Sequence, residues 1–202
     1  MTMLRLLLLA MLSGTAAVAV TAEREPDAPP TTAAADAVPA AVQAVWVEKQ
    51  LKFVYVANTA YYSCDGLEQR VEKILAAIGA RPGFKVQPRG CFSPRRGAEW
   101  TPMLDITAAS ARAVTPETPA AEVASAFPAR VMRVDLRDSP TGMLQAGDCE
   151  LVRQLRDQVF KPLGATIVID RMGCSIHTLN NDIIVMSLDV LVPADAASLP
   201  GH

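Results

Sequence analysis

The chain of 202 residues predicts an α+β fold: two tandem β-α-β-β units forming a two-layer sandwich, with a mixed sheet, both helices on one face and one disulfide per unit. Three observations carry this. A word recurs: Cys64, fourteen residues, Gly79-Ala80, nine residues, Gly90-Cys91, then Leu104-Asp105-Ile106; and again Cys149, fourteen residues, Gly164-Ala165, seven residues, Gly173-Cys174, then Leu188-Asp189-Val190. Apolar residues follow helical spacing after the first cysteine of each word. The four cysteines of the chain are the ends of the two words.

The first residues read as a secretory signal peptide over 1–22. Arg5 is followed by Leu6 to Leu12, a small-residue stretch, and Val20-Thr21-Ala22 ahead of Glu23. Ser13, Gly14 and Thr15 break the apolar run and weigh against a retained anchor, and no cysteine follows the cleavage region to mark a lipoprotein. Residues 23–44, rich in Ala, Pro, Thr and acidic side chains, read as a flexible leader without enough apolar surface to offset chain entropy.

One domain is expected over 45–192, in units 45–107 and 129–192. In the first, Leu51 to Val56 reads as a strand, and Leu67, Val71, Ile74, Leu75 and Ile78 as one face of a helix. Ser63, or Asp65 with Glu68 three residues on, signals the start of that helix, and Gly79 ends it. A strand with Phe84, Val86 and Pro88 on one side and Lys85, Gln87 and Arg89 on the other follows, then a third from Met103 to Thr107.

Residues 108–128 read as a linker broken by Pro116, Pro119 and Pro128, with a short helix between Glu117 and Phe127. The second unit repeats the order: strand Val131 to Leu136, helix from Asp148 with Leu151, Leu155, Val159 and Leu163, strand Thr166 to Arg171, strand Ile183 to Val192, and a flexible tail over 193–202. The sheet face away from the helices should carry Lys85, Gln87, Arg89, Asp105, Arg133, Asp135, Asp170 and Asp189, a mixed-charge set that is ordinarily just solvated.

Lengths pair the cysteines within units. A helix from Cys64 to Ile78 rises about 22 Å at about 1.5 Å per residue, and the strand back to Cys91 covers a nearly equal distance. The expectation is Cys64 with Cys91 and Cys149 with Cys174. There is no Cys-x-x-Cys for redox chemistry, and only His177 and His202 to join cysteines in a zinc site, so the reading is structural disulfides with no metal and no cofactor.

Without 1–22 the chain holds 18 basic and 21 acidic residues, which argues against a nucleic-acid partner. Both helix starts and the loops after each second cysteine fall at one end of the sheet, where a rigid scaffold ordinarily displays a site. The ligand-binding candidates there are Tyr61, Tyr62, Arg95, Arg96, Trp100 and His177, near Ser63, Asp65, Phe92, Ser93, Asp148, Ser175, Asn180 and Asn181. Each has a plainer role. Tyr61 and Tyr62 suit a packing staple, Asp65 and Asp148 helix caps, and Arg95 and Arg96 a solvated hairpin loop. His177 lacks a nameable acid or nucleophile beside it. No nucleophile elbow, zinc-protease helix, phosphate loop or dinucleotide fingerprint occurs.

The run Tyr61-Tyr62-Ser63-Cys64-Asp65-Gly66-Leu67-Glu68, with Gly79-Ala80-Arg81 and Arg89-Gly90-Cys91, resembles a group of exported proteobacterial proteins with no known activity. The resemblance covers mainly the first unit and implies a periplasmic setting. The combined expectation is a periplasmic or secreted, non-enzymatic interaction or structural module, with an envelope protein as its partner and no membrane span once the signal is cleaved. The alternative is a small-ligand-binding protein or an unfamiliar hydrolase with its site at the loop end.

Overall fold

The computed structural model describes residues 41–58, 60–90, 101–137, 143–145, 147–175 and 182–196. Six strands form one sheet in the order β2-β3-β1-β4-β6-β5. They are β1 (Val42–Val54), β2 (Lys85–Arg89), β3 (Met103–Ala113), β4 (Phe127–Arg137), β5 (Thr166–Gly173) and β6 (Ile183–Pro193). The helices are α1 (Cys64–Ala77), the short α2 (Ala120–Val123) and α3 (Cys149–Leu155), which runs on as a π-helical turn over Arg156–Phe160.

The sheet is antiparallel at every pairing, not mixed. The reason lies in the strand order. A helix crossover would make β1 and β2 parallel neighbours, but β3 turns back from β2 and inserts between them, pairing with both. The same happens in the second half, where β6 lies between β4 and β5.

Several boundaries differ from the sequence reading. The segment expected to be leader up to residue 44 is already β1 from Val42, and β3 extends to Ala113, six residues into the expected linker. Neither stretch shows an apolar alternation, and the Ala-rich end of β3 is poor in β-formers. They become strands together, because Ala44 to Val54 pairs with Ala113 to Met103 without a break. At the far end of the linker Phe127 and Pro128 belong to β4, and the expected helix there shrinks to Ala120–Val123.

One face of the sheet is the core. Phe53, Val86, Leu104, Ile106, Val134, Leu136, Met186 and Leu188 pack in a single cluster with Leu67, Val71, Ile74 and Leu75 of α1 and with Leu151, Leu155, Val159 and Phe160 of α3. Burying each large side chain contributes roughly 1.5–3 kcal/mol. The opposite face carries Arg89 paired with Asp105 and Arg133 paired with Asp189 in a two-bond fork, with Asp135 accepting from Ser187. Asp170 is the exception to the expected face. A register shift between Ile167 and Ile169 adds one residue to the strand, so Asp170 stands opposite the buried Met186 and pairs with Arg156 at 2.6 Å.

Candidate functional site

The segment entering α1 and the start of α3 meet, and the residues that bring them together are polar. Ser63 caps α1, its Oγ accepting the Gly66 N–H at 3.1 Å. A Cβ at Gly66 would stand 2.9 Å from that same oxygen, so a larger residue there would displace the capping hydroxyl. Tyr55, just past β1, donates its hydroxyl to the Ala60 carbonyl at 2.7 Å and meets Tyr62 edge-on, with ring centroids 5.2 Å apart.

Tyr62 in turn donates to Asp148, a carboxylate only 2% exposed. Asp148 also accepts the Gln145 N–H at 2.7 Å and lies 3.5 Å from Arg70. Arg70, from α1, donates to the Met143 carbonyl at 2.6 Å and to Gln145 Oε1 at 3.1 Å. Burial first, then the Asp148 carboxylate, pushes the Tyr62 hydroxyl far above the ordinary phenol range; burial and then Glu150 and Asp148 do the same to Tyr55. Both phenols therefore stay protonated at neutral pH and act as hydrogen-bond donors.

Of the six candidate residues, Arg95, Arg96, Trp100 and His177 lie outside the described residues, as do Phe92, Ser93, Asn180 and Asn181. Tyr61 is 45% exposed. Tyr62 is instead half-buried and packs against the core. Asp65 is not the cap of α1, because Ser63 takes that place. Asp148 sits at the cap position of α3 but makes no side-chain bond to the helix, its oxygens being turned to Tyr62 and Gln145. Ser175 donates its N–H to Asp182 at 2.7 Å.

Cys149 and Cys174 form a disulfide, with Cα atoms 5.4 Å apart. Cys64 is not a free thiol, and its expected partner Cys91 lies outside the described residues. No cluster of metal-ligating side chains occurs among the described residues. Among these residues, too, no helix is long and apolar enough to cross a membrane.

A larger polar arrangement is missed by the sequence reading. Along α3, Glu150, Gln154 and Gln158 recur every four residues and face the edge of β1 and the segment after it. Gln158 accepts the Val54 N–H and donates to its carbonyl, both at 3.0 Å. Gln154 does the same for Val56 at 2.9 and 2.8 Å, and Glu150 accepts the Asn58 N–H at 3.1 Å. Four helix residues rise about 6 Å and two strand residues about 6.6 Å, so the two spacings nearly match. The four-residue repeat of Glu and Gln was the available signal, although such a stripe ordinarily faces water.

Open space lies elsewhere. Trp46 is flanked by Phe127, at 5.0 Å between ring centroids, and by the Arg81 guanidinium at 5.8 Å. Beside it run an apolar cleft of about 450 Å³ with Ala76, Ala80, Phe84, Val192 and Pro193, and a polar groove of about 540 Å³ with Glu48, Gln50, Lys85 and Thr107. Compared with known families, curated proteins and solved structures, the chain matches none.

Proposed function

We propose that the chain is an exported, periplasmic or secreted α+β module, built as two tandem β-α-β-β units with links 64–91 and 149–174, that presents a surface to an envelope protein and performs no catalysis. One observation carries this reading: the described polar groups at the loop end are spent on one another. Tyr62, Asp148, Arg70 and Gln145 satisfy each other, and Tyr55 bonds the Ala60 carbonyl. A general acid or base needs reach to a substrate, and these groups are committed to holding α1 against α3. The Cys149–Cys174 link and the secretory-type N-terminus support export.

Tyr61, exposed at the same end, favours a second reading in which Tyr61, Arg95, Arg96, Trp100 and His177 hold a small ligand or its hydrolysis. Crosslinking in an exporting host, with intact mass and non-reducing peptide mapping, separates them. The first reading expects a chain starting at Glu23, both intra-unit links and a specific envelope partner. A clean monomer that captures nothing, and loses a ligand when Tyr61 or His177 is changed, sinks it in favour of the second.

A further inference from the structure

β1 has an open strand edge among the described residues. Val114 donates its N–H to the Gln43 carbonyl and Tyr55 donates to Pro102, so in the unbroken β1–β3 register the odd-numbered residues of β1 bond β3. The even-numbered ones turn their N–H and C=O groups the other way. On that side β4 takes Val42 and Ala44, and the α3 side chains take Val54, Val56 and Asn58. Between them Trp46, Glu48, Gln50 and Lys52 have no backbone partner on that edge among the described residues. Glu48, Gln50 and Lys52 are exposed and Trp46 is half-buried. The four rungs span about 20 Å at about 3.3 Å per residue.

We propose that this edge is a strand-addition site for an extended segment of a partner protein, about seven residues long, with an apolar residue opposite Trp46, a basic one opposite Glu48 and an acidic one opposite Lys52. The inference deepens the reading of the chain as an interaction module and rests on it for its biological sense. Gln154 and Gln158 each offer one acceptor and one donor to a single residue, as a partner strand does, so the edge keeps ladder geometry beyond the point where β4 leaves it.

Length sets the kind of occupant. A second copy's β1, 13 residues long, would run into β4 at one end and α3 at the other, so the gap selects a short segment over self-pairing. Charge sets its sequence. Glu48 and Lys52 form no ion pair among the described residues, and charges on an open edge repel segments that do not match them.

Amide hydrogen exchange on the oxidised full chain tests this, with a synthetic seven-residue peptide carrying valine, lysine and glutamate opposite Trp46, Glu48 and Lys52. The free protein should exchange the Glu48, Gln50 and Lys52 amides at least about tenfold faster than those of Lys49 and Leu51, and the peptide should slow the first three. With the peptide antiparallel to β1, as every strand pairing in the sheet is, N-methylation of the peptide residues opposite Glu48 and Lys52 should abolish binding, whereas N-methylation of the intervening residues should leave it. Gln50→Pro, which removes an edge-facing N–H and leaves the β1–β3 hydrogen bonds in place, should keep the fold and lose at least about tenfold in affinity. Slow amides at Glu48, Gln50 and Lys52 in the free protein, no binding at millimolar peptide, or binding indifferent to the N-methyl pattern would each overturn the proposal. An envelope partner crosslinked elsewhere on the chain would leave the module reading standing while the edge assignment falls.

Discussion

The two long helices end alike and begin differently. At the close of α1, Gly79 takes φ 77°, and the Gly79 and Ala80 N–H groups return to Ala76 and Leu75. After α3, Gly164 takes φ 86°, and Gly164 and Ala165 return to Lys161 and Phe160 in the same pattern. The repeated Gly-Ala word is therefore a helix stop that works locally, since a left-handed residue must turn the chain and glycine does so without strain. At Gly164 a Cβ would also press on the Arg112 guanidinium at 3.2 Å.

The beginnings teach the opposite lesson. α1 is capped by its own neighbour, Ser63, and held by an apolar stripe. α3 has no side-chain cap, passes into a π turn, and is tied along its length to groups far away in sequence. Its start is held by Tyr62 and its body by the backbone of Val54 and Val56. Past its end, Ser110 and Arg112 of β3 donate to the Leu163 and Pro162 carbonyls. The start of α1 is thus specified by its own sequence and its seat by the shared core, whereas α3 depends on the strands around it for both.

The sharpest break of this contrast is removal of the disulfide that anchors α3. Cys149→Ala with Cys174→Ala opens a loop of sequence separation 25 and should cost about 3 kcal/mol in denaturant unfolding. Next comes the amide ladder. Gln154→Ala with Gln158→Ala removes four hydrogen bonds to the end of β1 and the segment after it and should cost about 2 kcal/mol, with amide protection at Val54 and Val56 lost first. An unchanged unfolding midpoint would mean that apolar packing alone seats α3.

Tyr62→Phe leaves Asp148 buried with one donor fewer and should cost about 1–2 kcal/mol, read by thermal melting. Ser63→Ala should cost about 1 kcal/mol and act on α1 alone, so the α3 amides should keep their protection. The smallest effect is acid dependence. Arg156, then Lys161, pull Asp157 down to about 2, below its ordinary 3.8. A depressed carboxyl stabilises above its unfolded pKa and loses that contribution as pH falls from about 4 to about 2. Asp157→Asn should flatten the melting curve's pH dependence in that window only slightly, because the pair is half exposed and screened.

Much of the polar candidate site is not legible in the sequence for a related reason. Tyr62 and Asp148 were visible as residues near helix starts, but their partnership spans 86 positions and follows from α1 and α3 sharing one core. The Gln154 and Gln158 ladder spans about a hundred positions and needs the edge that β4 abandons.

From the sequence alone come the features set by near neighbours: the α1 stripe and its Ser63 start, the two Gly-Ala stops, the strand alternation around Val86, and the pairing of Cys149 with Cys174. Each depends on helical or strand geometry over a few turns, so residue spacing suffices to find it. The tertiary structure alone decided the antiparallel order, the reach of β1 and β3 through stretches without alternation, and the face on which Asp170 stands. These are matters of pairing and count: a strand's register is settled by its partner, and one extra residue at a bulge reverses every face beyond it.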